Sequence, residues 1–282
     1  MADTPAQVRA LDHVAAQSSG PPVDRDLRVT LNFHPDRMTS GRPILVALGE
    51  DGCYRSQFVT GTSNGGLTAH PGGDRWRWES RIFGGAYDGA HPAERPVYGA
   101  LNLWRRPGGA APRFGSAHVR LTAQALARST FCHPDSVFEP THFGVAGRAG
   151  LLVRARPGEP ELLDDYVEAQ VHGPVRLDRD VEALVLDPCY RGTAVEAQAR
   201  ALPCPVEWHP GWRLTVVELQ RHPEYRGPEI VEAGLAIAQD GVLDGRVVGE
   251  AVASGRHDPQ TLKRVWHYVA RFGSPAHAGE RP

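Results

Sequence analysis

The chain has 282 residues, 41 % hydrophobic and 23 % charged, a balance that belongs to a folded globular protein and excludes wholesale disorder. Its formal net charge of −2 provides no overall field toward nucleic acid or an anionic membrane surface. Four cysteines without a CxxC pair exclude a zinc knuckle and a dense disulfide framework. The chain begins without a basic-then-apolar secretory signal, and no apolar run approaches the ~20 residues of a membrane span. The expected setting is therefore reducing and cytoplasmic, with no membrane partner. A specialised export machine would leave no mark of this kind. Lys263 is the only lysine, so the basic character rests almost wholly on arginine.

In chain order, residues 5–17 carry Val8, Leu11, Val14 and Ala15 at helical spacing and predict an amphipathic helix. Residues 28–34 alternate strictly, with Val29, Leu31 and Phe33 on one face and Thr30, Asn32 and His34 on the other. That predicts a half-buried strand, broken by Pro35-Asp36. A second strand is expected over residues 54–59, running into the glycine-rich Thr60-Gly-Thr-Ser-Asn-Gly-Gly66. Residues 70–112 read as mostly loop, with aromatics including Phe83, Tyr87 and Tyr98. Further strands are expected over 118–121, 166–172, 182–186, 206–208 and 214–217. Helices are expected over 122–128, 193–202, 230–239 and 261–271. Short strands in the middle and helices at both ends define the α+β class.

The strand over 166–172 carries the most information. Tyr166, Glu168, Gln170 and His172 share one face, and Val167, Ala169 and Val171 the other. Polar residues in a row beside an apolar face fit either a lined cleft or a solvent-facing sheet surface. His34 fits a ligand site or a plain strand end, and Asn64-Gly65 is equally a strong turn signal.

Several segments together resemble the ADP-ribosyltransferase superfamily, most closely the bacterial family called domain of unknown function 3626. Phage-head-associated transferases share part of the pattern. The segments are Phe58-Val-Thr-Gly-Thr-Ser63, Arg95-Pro-Val-Tyr-Gly-Ala-Leu101, Phe114-Gly-Ser-Ala-His-Val119, Arg128-Ser-Thr-Phe131 with Asp135-Ser136, and Tyr166-Val-Glu-Ala-Gln-Val-His-Gly173. The resemblance implies a split β-sheet core with flanking helices and NAD in the cleft between the sheets. The resemblance covers about the middle half of the chain and does not extend to the C-terminal part. With the element pattern it gives an N-terminal helix and linker over 1–26, a catalytic domain over 27–215, and a C-terminal helical segment over 216–282 packed on the same domain.

By the same resemblance, Glu168 takes the place of the catalytic glutamate, either with Gln170 as its helper or in a shifted register that implies a target other than arginine. His34, with Arg37 as rival, resembles the anchor of the NAD ribose and phosphates. Thr60, Gly61, Thr62 and Ser63 resemble the motif that shapes the nicotinamide pocket. Arginine-modifying members place glutamine or glutamate two residues before the catalytic glutamate, whereas this chain reads Glu168-Ala-Gln170. The implied activity is transfer of ADP-ribose from NAD to an acceptor that the sequence leaves open, in a toxin, effector or housekeeping role.

The residue types suit that chemistry. Cleaving the nicotinamide–ribose bond builds oxocarbenium-like charge that one preorganised carboxylate stabilises, and no metal is required. Arg37, Arg55 and the turn over residues 61–66 are candidates for the diphosphate, and Tyr98 or Phe83 for an aromatic face on nicotinamide. Two alternatives belong to other classes. One is a metal-dependent hydrolase drawing on His34, His70, His133 and His172, although no HExxH or HxH spacing occurs. The other is a catalytically inactive transferase fold acting as a binding module.

Overall fold

The computed structural model describes residues 4–61, 68–153 and 163–275. Its main elements begin with helix α1 (Pro5–Gln17), strand β1 (Val29–Phe33) and helices α2 (Ile44–Asp51) and α3 (Asp74–Ile82). Six strands follow: β2 (Val97–Leu101), β3 (Ala117–Leu121), β4 (Ser129–Cys132), β5 (Phe143–Val145), β6 (Val167–Val171) and β7 (Val181–Leu186). Helix α4 (Ala194–Arg200), strand β8 (Val206–Trp208) and helices α5 (Pro228–Ile237), α6 (Gly245–Ala253) and α7 (Pro259–Phe272) complete the chain.

Local chemistry explains the ends of these elements. In α1 a capping box closes the first turn, with Thr4 Oγ1 accepting from Gln7 N–H and Gln7 Oε1 accepting from Thr4 N–H. Its buried stripe is Ala6, Ala10 and Val14. In α6 and α7 the side chains of Asp244 and Asp258 accept from the third residue on, Val247 and Thr261.

Two expectations need correction. Residues 54–59 do not form a strand: Cys53–Tyr54 is a two-residue strand paired with Val175–Arg176, and Gln57–Thr60 is a helical turn ended by Gly61 at φ +64°. Residues 70–112 remain mostly loop, but the stretch also holds α3 and β2, which the loop reading left out. The inward stripe of α3 is Arg75, Trp78, Glu79 and Ile82, helical spacing with charges at two of four positions. That substitution hides the helix from a hydrophobic pattern. A third, smaller difference is at residues 214–217, where Leu214–Thr215 pairs with Val242–Leu243 and Val216–Leu219 turns helical.

The eight strands form one mixed sheet in the order β8-β7-β3-β1-β2-β6-β4-β5, antiparallel except for the parallel pair β7–β8. Hydrogen bonding thus joins what was expected as two separate sheets. The junction is slight. Strands β1 and β2 pair only at Val29↔Leu101 and Thr30↔Ala100. Beyond that point β1 continues against β3 down to Phe33↔Ala117, while β2 continues against β6 down to Val97↔Val171. The sheet therefore opens into a fork. Gly99 stands at its vertex, where a Cβ would come 2.4 Å from Leu31 Cδ2 and 2.6 Å from the Thr30 carbonyl oxygen. Only glycine lets the two strands meet so closely.

Register fixes the faces, because directly paired residues share a side. Thr30 pairs with Ala100 and Ala100 with Glu168, so Thr30, Asn32 and His34 lie on the same face as Glu168 and Gln170. The opposite face carries Leu31, Phe33, Leu101, Phe131 and Ala169, and with Leu45 and Leu48 of α2 it builds the largest core. On the polar face, α1 and α3 cover the β6–β4–β5 half. The C-terminal helices form their own core and dock beside β1 through Trp266, whose indole N–H donates to the Pro112 carbonyl at 2.8 Å. Gly249 of α6 seats against Asp36, where a Cβ would fall 1.6 Å from the carboxylate. Among the described residues no helix is long and apolar enough to cross a membrane.

Candidate functional site

A cleft of about 690 Å³ occupies the fork, within the range of small-molecule and cofactor pockets. Thr30, Asn32, His34, Tyr98 and Glu168 line it from the polar face, and Phe33, Val97 and Gly99 from the other, as a gap between diverging strands requires. Arg37, Arg42, Arg55, Arg75, Arg113 and Lys263 also line it, against Asp51 and Glu168 as the acids among its described lining residues. Several of these cations are already engaged. Arg55 pairs with Asp51 at 2.6 Å, and Arg42 and Arg113 pair with Glu50 and Asp164. In a chain of net charge −2, the cleft thus gathers an excess of cationic side chains over acidic ones among its described lining residues.

Glu168 lies at the centre and is buried, with only 6 % of its surface exposed. Its Oε2 accepts from the Ser136 hydroxyl at 2.8 Å and the Ser136 N–H at 3.3 Å, and its Oε1 accepts from Gln170 Nε2 at 2.9 Å. The Arg75 guanidinium stands 3.8 Å from Oε1 and donates to Ser136 Oγ at 3.1 Å. Burial raises the Glu168 pKa above the usual carboxylate value, with Arg75 and the Ser136 hydrogen bond opposing.

Arg75 is itself held in place by neighbours. It lies 3.9 Å over the Tyr98 ring, and the Tyr98 hydroxyl donates to Glu79 Oε1 at 3.0 Å. Glu79 is fully buried, bonded to Arg95 at 2.6 Å, and burial pushes it up to about 7 against the pull of Arg95. Arg95 also caps the Tyr87 carbonyl at 2.7 Å and lies 4.2 Å over the Phe58 ring. One turn of α3 thus places a cation at the carboxylate and a carboxylate beneath the tyrosine. Below Glu168, the Tyr166 hydroxyl donates to Asp135, whose other oxygen accepts from Val137 N–H. A side pocket of about 150 Å³ opens at Glu168 between Asp135, Phe138, Asp164 and Lys263.

The expected site residues fare differently. Glu168, His34, Arg37, Arg55, Thr60 and Tyr98 all line the cleft. His34 is held well below its ordinary pKa by burial and by the Arg37 charge, and is therefore neutral. Its ring meets Trp266 edge-on at 5.1 Å, and its buried Nδ1 has no partner among the described residues. Burial likewise lowers Arg37 from its usual value. Thr62 and Ser63 lie outside the described residues, and Gly61 ends the helical turn that carries Thr60.

Two corrections concern the polar strand and the aromatics. Gln170 does not reach the cleft. It is fully buried behind Glu168, with Thr130 Oγ1 donating to its carbonyl at 2.8 Å, so it touches the carboxylate and not a ligand. Phe83 is also buried away from the cleft, packed on Tyr87 and His172. The histidines of the hydrolase alternative are scattered. His70 is exposed, His133 pairs with Asp165 at 2.9 Å, and His172 lies in the core beside Tyr87. Among the described residues no group of three or more His, Cys, Asp or Glu side chains could hold a metal ion.

Sequence reasoning missed Arg75, Arg113 and Lys263. The signal for Arg75 was the i, i+3, i+4, i+7 stripe of α3 read with charges allowed. Nothing local marks Arg113, in the turn Pro112–Phe114, or Lys263, which the docking of α7 brings to the cleft.

The fold and site define a mixed α/β protein with a forked sheet and a buried glutamate in a cation-lined cleft. The family described as Protein of unknown function (DUF3626) matches residues 28–160 and 152–271, most of the chain, and the chain belongs to that family. No curated protein matches it.

Proposed function

We propose that the protein is an NAD-dependent ADP-ribosyltransferase with the dinucleotide in the fork and Glu168 beside the ribose. The carrying observation is a single buried carboxylate presented between diverging strands in a cleft rich in arginine. Arg37, Arg75 and Lys263 suit the diphosphate. Glu168, oriented by Ser136 and Gln170, suits the developing positive charge at the ribose carbon. The carbon–nitrogen bond breaks, its electron pair leaves with nicotinamide, and an acceptor nucleophile bonds to the ribose carbon as it loses its proton. Burial keeps water from screening Glu168.

The test is nicotinamide release and label transfer from labelled NAD. Glu168→Gln is expected to lower release on the order of 100- to 1000-fold while NAD affinity stays within a few-fold. Turnover at the wild-type rate in that variant, or neither binding nor release by the wild type, overturns the reading. A binding-only module is the second reading, favoured by the Arg75 cation already 3.8 Å from the carboxylate. It predicts NAD binding without nicotinamide release.

A further inference from the structure

We propose that Tyr87, His172 and Thr130 are positioning residues, forming with Gln170 a one-way hydrogen-bond chain that ends on Glu168 Oε1. Its catalytic meaning rests on the transferase reading, but its geometry does not. Each link has one allowed direction. Gln170 turns its Nε2 toward Glu168 Oε1 at 2.9 Å, and since an amide nitrogen only donates, the carboxylate oxygen accepts at this link. The Gln170 carbonyl then accepts the Thr130 O–H at 2.8 Å. Thr130 has spent its single proton, so at 3.1 Å it accepts from His172 Nε2–H. That fixes the histidine tautomer and leaves Nδ1 to accept the Tyr87 hydroxyl at 2.6 Å.

The environment keeps the chain in this state. His172 is 1 % exposed, and burial pushes it down to about 3, with Arg128 adding to the effect, so it stays neutral. Tyr87 and Arg128 are the ionisable groups facing it, and Arg128 donates to the His172 carbonyl at 2.6 Å. Phe83 packs edge-on against the imidazole at 5.1 Å, and Tyr87 stacks on it. The groups facing Glu168 are Arg75, Tyr98, Cys132, Asp135, Ser136 and Tyr166 besides Gln170. None of these donates to Oε1 as directly as Gln170 does. Without the Thr130 hydroxyl, the Gln170 amide nitrogen keeps, besides the carboxylate itself, only a weak contact with Cys132 Sγ at 3.5 Å among the described residues. The amide is then free to turn its oxygen there and disfavour the ionised form.

The experiment has two readouts independent of turnover, on the full chain. Nitrogen-15 NMR of the histidines at pH 7 is expected to show His172 neutral, with the proton on Nε2. Carbon-13 titration of the Glu168 carboxyl is expected to show a pKa higher by roughly one unit in Thr130→Val than in wild type, with Thr130→Ser restoring it. Thr130→Val, which removes the acceptor of Nε2–H, is expected to redistribute the His172 tautomers, whereas Tyr87→Phe, which keeps the ring packing, leaves the proton on Nε2. A proton on Nδ1 in the wild type, or an unmoved Glu168 titration in a folded Thr130→Val, overturns the proposal. Nicotinamide release adds the catalytic test, in which Thr130→Val shifts the acid limb of the pH profile and lowers kcat more than it raises KM. A wild type that releases no nicotinamide, yet shows the expected tautomer and titration, sinks the transferase reading and leaves the chain standing.

Discussion

Arg75 and Glu168 make the central pair of the cleft, and both side chains are almost wholly buried. Removing one member of such a pair strands the other in a low-dielectric site, at a cost typically of ~3–5 kcal/mol. Arg75→Met is therefore expected to lower stability at pH 7.5 by about 3 kcal/mol, measured by urea unfolding. The pH dependence has a definite sign. Burial already raises the Glu168 pKa, and loss of Arg75 raises it further, so the folded variant binds a proton that the unfolded chain releases. Its deficit relative to wild type shrinks as pH falls toward 5. A deficit that stays constant between pH 7.5 and 5 means that Arg75 serves packing and not the carboxylate. At this scale the sequence was only partly legible. Alternation on one strand exposed Glu168 as a polar group with a purpose, but Arg75 sits in a segment whose charged inward stripe reads as loop.

The decisive element is the junction of β1 and β2. Two residue pairs hold it together, and Gly99 makes the approach possible. Gly99→Ala sets a methyl group inside contact distance of Leu31 and the Thr30 carbonyl. Overpacking of this kind costs ~1–3 kcal/mol, to be read as a lowered unfolding midpoint. The strain falls at the vertex of the fork, so ligand affinity should drop more than for a surface glycine change such as Gly89→Ala, where a Cβ meets nothing within 4 Å and φ is not positive. Equal effects at the two positions refute the importance of the close approach. The element pattern itself was largely readable. Residues 5–17, 28–34, 166–172 and 206–208 became α1, β1, β6 and β8, although α1 buries Ala6, Ala10 and Val14 and leaves Val8, expected on the inner face, exposed. Strands β4 and β5 were not anticipated. Ser129–Cys132 is buried at every residue and shows no alternation for a period to reveal.

At the scale of the whole molecule, buried neutral histidines dominate the response to acid. Burial pushes His118, His172 and His267 down to about 3. Below pH 6.5 the unfolded chain takes up protons at these positions that the folded chain refuses. Each histidine therefore removes ~1.4 kcal/mol per pH unit until its folded pKa is reached. Glu79 acts in the opposite sense: with its folded pKa raised to about 7, its contribution is complete below the unfolded value near 4.5 and lost as pH rises through 7. Glu79 thus offsets part of the loss between pH 7 and 4.5, and below that range the histidines act without this counterweight. Unfolding on acidification is expected between about pH 4.5 and 3, since three such groups rival a domain stability of ~5–15 kcal/mol. Far-UV circular dichroism against pH checks it, and a chain still folded at pH 3 contradicts the assignment of neutral histidines.

The sequence alone determined the mixed helix-and-strand character, the strand with Glu168 among polar neighbours, and the resemblance that suggests NAD. These are periodic or local properties, written within a few residues of one another. Tertiary structure decided the fork between β1 and β2, the cation and the hydrogen-bond chain that converge on Glu168, and the cleft wall contributed by α7. Tyr87 and His172 meet across 85 positions of chain, and Trp266 reaches Pro112 across 154. Contacts of that range follow from how whole elements pack and strands pair, and no local period of the sequence encodes them.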